Sequence, residues 1–279
     1  RNVTGVQTCA LPISIAVRIA RAATGKDQVA VCGYHGWHDW YLSANLSDSK
    51  NLDFHLMRNL PIHGVQKNLK NSVFVFEYNN FDQLKKIVAQ NNIGTVIMEV
   101  SRNELPKKNF LENVRKLTKN KNIVLIFDEC TSGFRETFGG LHLKYKINPD
   151  IATFGKALGN GYAVNAVIGT DSVMDYANST FISSTFWTER IGSVAGLKTL
   201  EVMEKIKSWE IISNIGKKIK TKWKNLSNKY NLKLKIEGLD PLPRFDFENQ
   251  YNLFYKTYIT QEFLKKNFLA SNSIYLCIE

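Results

Sequence analysis

No stretch of this 279-residue chain approaches the roughly 20 consecutive apolar residues that a membrane helix needs, so no membrane partner is expected. The opening residues lack a basic region followed by an apolar run, so no secretory signal is read there. Cysteine is sparse: Cys9, Cys32, Cys130 and Cys277 stand far apart and form no CxxC pair. That spacing argues against a zinc framework or a disulfide scaffold and fits a reducing cytoplasm. Acidic residues are outnumbered, 25 against 37 Lys and Arg, which leaves a formal net charge of +12. A basic balance admits nucleic acid as a partner. Here the lysines are scattered, often beside asparagine, as in Lys107-Lys108-Asn109. The densest run, residues 217–224, keeps Ile215, Ile219 and Trp223 at helical spacing and reads as the solvated face of a helix, so no nucleic acid is expected. There is no internal repeat and no low-complexity block.

What is present is an α/β alternation. Residues 1–13 have no clear period and carry Gly5, Cys9 and Pro12. They read as a non-native segment of the kind translated from sequencing-adapter read-through. Helical order is expected from Ser14, with Ile15, Ala16, Ile19, Ala20 and Ala23 on one face and Gly25 as its stop. Strands are expected at 28–34, 72–77, 95–100, 123–127, 151–154, 166–169 and 181–186, with helices marked by Phe81–Val88 and Phe110–Leu117. Strand–helix–strand alternation points to an α/β domain with a largely parallel sheet flanked by helices. A long helical region begins near Ile191. Beyond it come strand-like pieces (KLKIEGL, PRFDF), a helix near 261–268 and a last strand near 273–278, an α+β character. The expected domains are therefore 14–205 and 206–279.

Three features carry chemistry. Asp128 follows the apolar strand 123–127 directly, and open α/β sheets bind ligands outside strand carboxyl ends. It reads either as a helix cap or buried ion pair, or as the counter-charge for a cationic ligand group. Glu129 beside it raises acid/base pairing, although neighbours on a strand end point in different directions. Lys156 ends a strand among Gly155, Gly159 and Gly161, and a lysine near apolar walls is nucleophilic toward aldehydes. The segment 34–41, YHGWHDWY, sets aromatics beside Gly36, which suits stacking on a planar cofactor. Trp37, Trp40 and Tyr41 serve equally as fillers of a domain edge. His35 and His38 have no further ligand cluster to make a metal site, so no metal is expected.

Taken in order, ARAATGK, YHGWHDW, FDECTSGFR and PDIATFGKALGNGY resemble the class III aminotransferases, which have the type I fold of enzymes dependent on pyridoxal 5'-phosphate (PLP). The resemblance covers the chain from Ser14 onward. It implies that Lys156 carries PLP covalently, that Asp128 pairs with the pyridine nitrogen, and that Tyr34 and Gly36 lie against the ring. It also implies that Thr185 reaches the phosphate of a neighbouring subunit, in a homodimer with shared active sites. The competing reading of Thr185 is a cap on the following helix of its own chain. His35, Glu99 and Glu129 are candidate neighbours of the site. The implied activity moves an amino group between a small-molecule amino donor and a carbonyl acceptor. FDECTSGFR leans toward the glutamate-1-semialdehyde aminomutase branch, whereas GNGY and VSRNEL depart from its pattern. The family's phosphate loop, a Gly-Ser turn before the first helix, is replaced here by residues 1–13. Its N-terminal segment and last helices are absent, so the C-terminal domain is expected to be truncated. A basic binding module without enzymatic function is the competing class.

Overall fold

The computed structural model describes residues 4–183 and 189–278, with side chains from residue 10 onward. The large sheet takes six strands: β1 (Gln28–Cys32), β2 (Val73–Val75), β3 (Ile93–Met98), β4 (Val124–Asp128), β5 (Ile151–Phe154) and β6 (Ala166–Gly169). Their order is β2-β1-β3-β4-β5-β6. The first five run parallel and β6 closes one edge antiparallel to β5. The helices are α1 (Thr4–Thr24), α2 (Asp39–Leu42), α3 (Phe81–Gln90), α4 (Phe110–Asn120), α5 (His142–Tyr145), α6 (Asp171–Met174), α7 (Arg190–Ile206), α8 (Ser208–Lys229) and α9 (Asn252–Lys265). A separate hairpin joins β7 (Leu234–Glu237) to β8 (Arg244–Phe247). Among the described residues no helix is long and apolar enough to cross a membrane.

The two-residue period of the strands divides the core. Val29, Val31, Ile97, Val124 and Ile126 face α1 and pack on its Ile13, Ala16, Val17 and Ala20. Ala30, Cys32, Val96, Met98, Leu125 and Phe127 face the other way, onto Leu84 of α3 and Leu111 and Val114 of α4. Both faces of β3 and β4 are covered, which is why these strands read as unbroken apolar runs. Asp128 continues the α1 side of β4, and the pleat turns Glu129 to the opposite side.

Several elements differ from expectation. The first helix starts at Thr4 and carries Pro12 inside it. An interior proline costs about 3 kcal/mol or more, but Ala10, Ile13, Ala16 and Val17 are all buried, and that apolar face holds the helix on the sheet. Residues 181–183 form no strand, and the rest of that expected strand lies outside the described residues. The expected last strand reduces to one bridge between Ser273 and Arg244. The final helix sits earlier, at Asn252–Lys265. Lys207, with φ 52°, breaks the long helical region into α7 and α8. Beyond α8, Leu239 and Leu242 join the core cluster of β3 and β4, and Gly238 N–H donates to Asn103 O at 2.8 Å.

Candidate active site

Parallel pairing brings the carboxyl ends of β1, β3, β4 and β5 to one edge, with Cys32 beside Met98, Met98 beside Phe127, and Asp128 beside Thr153. The strand order reverses direction between β1 and β3, the crevice where open α/β sheets bind ligands. The turn after β1 needs Gly33: its φ is 111°, and a Cβ there would stand 2.9 Å from Glu99 Oε2. Gly36, with φ 95°, is tight in the same way, its absent Cβ lying 3.0 Å from Ala10 Cβ. Between the two glycines His35 turns inward and Tyr34 stays half-buried. Tyr41 braces both from below, edge-on to each ring at about 6 Å, with its hydroxyl donating to Gly33 O at 3.0 Å. That hydroxyl is a specific tie that the edge-filler reading of Tyr41 missed.

Asp128 is buried and accepts three hydrogen bonds. Its Oδ2 accepts from His35 Nδ1 at 2.8 Å, and its Oδ1 accepts from Cys130 N at 3.0 Å and Thr153 Oγ1 at 3.3 Å. The other ring nitrogen, His35 Nε2, meets Cys32 O at 3.1 Å. Both ring nitrogens thus face acceptors. Burial by itself raises the Asp128 pKa. The bond and charge of His35, the Cys130 N–H and the Arg102 charge outweigh it and hold the carboxyl below its ordinary value.

Lys156 leaves β5 through Gly155 with φ 44°, a left-handed conformation uncommon for a non-glycine residue. Its Nζ donates to Thr131 Oγ1 at 2.7 Å. Arg102 Nη2 donates to the same oxygen at 2.7 Å, and Arg102 Nε donates to Glu99 Oε1 at 2.7 Å. Glu99 Oε2 in turn accepts the Tyr34 N–H at 3.4 Å. A cavity of about 200 Å³ opens here, lined by Tyr34, Gly36, Arg102, Asp128, Thr131 and Lys156, with Ala10 and Ile13 of α1 on its flank. A more open depression of about 320 Å³ lies at the β2 edge, near Ser47, Asn71 and Lys86, and holds none of these groups.

The structure therefore brings Tyr34, His35, Gly36, Glu99, Asp128 and Lys156 together. Glu129 goes elsewhere: its carboxylate takes the Ser132 hydroxyl and, at 2.9 Å each, the backbone and ring N–H of His142. It pins the loop between β4 and α5 and does not line the cavity. Thr185 lies outside the described residues. Arg135 makes structural bonds, with its Nε donating to Thr131 O at 3.0 Å and its guanidinium 5.6 Å from the Tyr275 ring. His38 binds the Ser14 hydroxyl, and no group of three His, Cys, Asp or Glu residues that could hold a metal occurs among the described residues. Arg102 and Thr131 were not picked out as site residues from the sequence. Their signals were there: Arg102 follows Glu99 by three positions in VSRNEL, and Thr131 sits inside FDECTSGFR.

These residues fit the ring end of PLP. A primary amine stands at the cavity, a carboxylate held anionic lies at its floor, and an aromatic side chain with an adjoining glycine forms a flat flank. The flank at Ala10 and Ile13 is helical, so its backbone N–H groups belong to the α1 ladder and its side chains are apolar.

The family described as Aminotransferase class-III matches residues 3–268. The chain is 32% identical over 265 residues to 3-aminobutyryl-CoA aminotransferase of Cloacimonas acidaminovorans, a match covering 92% of this chain and 60% of that protein. It is 34% identical over 200 residues to glutamate-1-semialdehyde 2,1-aminomutase of Sulfolobus acidocaldarius, covering 68% of this chain and 46% of that one. The chain thus spans about half of these curated relatives. The solved PLP internal aldimine form of the Sphingopyxis FumI protein superposes with a TM-score of 0.79 at 22% identity, covering 95% of this chain and 62% of that one. That likeness shows the fold: a mostly parallel sheet flanked by helices, as in PLP-dependent transaminases of type I fold. With the profile spanning nearly its whole length, the chain belongs to the class III aminotransferase family.

Proposed function

We propose that the protein is a PLP-dependent aminotransferase that moves an amino group between a small-molecule amino donor and an aldehyde or keto acceptor. One observation carries this reading. The amine of Lys156 and the His35-held carboxylate of Asp128 line one cavity, at the ends of adjacent strands. When bound, PLP supplies an electron sink for the pair released as the substrate loses a proton. The chain's own residues do the rest. Lys156 makes the covalent link and, once displaced, carries the proton as base and then acid. Asp128 holds the proton on the pyridine nitrogen. His35 keeps that carboxylate ionised and oriented, and Tyr34 and Gly36 shape the flank against the ring. Borohydride reduction of the PLP-loaded protein followed by peptide mapping tests the assignment: the label is expected on Lys156, and a label on another lysine defeats it.

The aminomutase relatives support a second reading, an intramolecular amino transfer as in glutamate-1-semialdehyde 2,1-aminomutase. Turnover of glutamate-1-semialdehyde without an added donor decides for it. Shared sites in a homodimer are part of the main proposal. Ile191, Val194 and Leu197 of α7 are each more than 60% exposed, an apolar face close in sequence to Thr185 that suits a two-fold contact. Mixing Lys156→Ala with Thr185→Ala chains is expected to regenerate activity above either parent, and no gain after verified exchange removes Thr185 from the neighbour's site. A cytoplasmic location is proposed from the wide spacing of the four cysteines, and cell fractionation tests it.

A further inference from the structure

Arg102 stands in the cavity with a use that the assignment above leaves open. Its guanidinium is held from one side: Nε and Nη2 lie 2.7 Å from Glu99 Oε1, and Nη2 also reaches Thr131 Oγ1 at 2.7 Å. Nη1 has no hydrogen-bond partner among the described residues and does not count among their buried, unpartnered polar atoms, so it is open on a residue that lines the cavity. The side chain is mostly buried, at 15% exposure, so the fork is fixed rather than swinging in solvent. The same Thr131 oxygen accepts from Lys156 Nζ, which sets the guanidinium two hydrogen bonds from the reacting amine. Both lone pairs of that hydroxyl are thereby taken by cations.

An arginine pre-oriented by a carboxylate, with one nitrogen left unbonded beside a cavity, recognises planar oxyanions. We propose that Arg102, steadied by Glu99 and Thr131, determines specificity by binding the carboxylate of an amino-acid donor at this site. The inference rests on the aminotransferase reading and deepens it, since it separates carboxylate-bearing donors from simple amines. Burial alone lowers the pKa of the Arg102 guanidinium; the charge and bond of Glu99, together with Tyr275 and Asp128, outweigh it and hold the pKa above its ordinary value, so the charge persists throughout the working pH range.

The test uses the PLP-loaded protein with Arg102→Met and Arg102→Lys, the lysine variant keeping a charge opposite Glu99. PLP loading at Lys156 is measured first, by visible absorbance and borohydride labelling, and is expected to persist in both variants. Failure of the label to reach Lys156 in the unmutated protein defeats the aminotransferase reading itself, independently of Arg102. Equilibrium binding of propionate, an unreactive carboxylate, is then followed by calorimetry. Loss of a charge-assisted contact predicts about ten- to a hundredfold weaker binding in Arg102→Met, with a smaller loss in Arg102→Lys. Half-reactions with L-alanine and with ethylamine give the second readout. The L-alanine KM is expected to rise by the same factor while ethylamine is unchanged. Equal losses for the two donors, unchanged propionate binding, or loss of PLP from both variants overturns the proposal, the last by assigning Arg102 to the cofactor.

Discussion

Replacing His35 with leucine removes the side-chain partner of Asp128 Oδ2. In the native arrangement Asp128 Oδ2 depends on His35 Nδ1 at 2.8 Å, while Oδ1 keeps Cys130 N–H and Thr153. Breaking a buried charged pair by deleting one partner costs about 3 kcal/mol or more. Losing that partner raises the Asp128 pKa, because the bond and charge of His35 had held it down. The sign follows from linkage. Asp128 now lies below its ordinary 3.8, so its stabilising share is present above that value and fades as pH falls through the folded pKa. In His35→Leu only the Cys130 N–H and the Arg102 charge still oppose burial, so the folded pKa rises and that share shrinks. The stability gap between the two proteins is therefore expected to widen as pH rises through 3.8, reaching about 3 kcal/mol. Urea unfolding at half-unit pH steps measures it. Using a His55→Gln background removes the half-buried histidine whose folded pKa of about 4 lies close to that value. A gap that stays flat, or that narrows toward pH 6, refutes the role given to His35.

Three further outcomes are expected. Asp128→Asn should fold and load PLP yet lose roughly a hundredfold or more in turnover, because an amide cannot hold the pyridine proton; near-native rates rule this out. Glu129→Ala should lower stability by about 3 kcal/mol, since His142 and Ser132 lose their shared acceptor, while borohydride labelling of Lys156 persists. His55 is held neutral mainly by burial, with its pKa lowered from 6.5 to about 4. The unfolded chain binds the extra proton between those values, so stability should fall as pH drops from 6.5 toward 4, and His55→Gln should flatten that slope in thermal melts.

Local pattern made some of this legible in the sequence and left the rest hidden. Val124–Phe127 is apolar on both faces, and that marks a central parallel strand with its ligand edge at Asp128. Lys156 was equally readable, because Ile151–Phe154 ends in Gly155 and a lysine on a tight turn stands out. Arg102 and Thr131 were not, because their meaning lies in a shared hydrogen bond between residues 29 positions apart. Glu129 could be misread for a related reason: the pleat and a partner at His142 decide its direction. Pro12 looks like a breaker, yet the helix runs through it because packing on the sheet outweighs propensity. The boundary expected near residue 205 falls close to the break at Lys207, but the burial of Leu239 and Leu242 against the main core came from long-range contact.

The crossover of the chain at β1 and β3 has a kinetic consequence. Val29 must find both Val73 and Thr95, and β4 and β5 must dock in sequence, before Tyr34 and Lys156 face one another. Parallel pairings of this kind are slow, since each closes a long loop before any contact rewards it. The cavity is therefore among the last parts of the molecule to form during refolding, and no shorter piece ending before β5 can assemble it. The moment at which a refolding chain first captures an aldehyde on Lys156 serves as a clock for completion of the sheet.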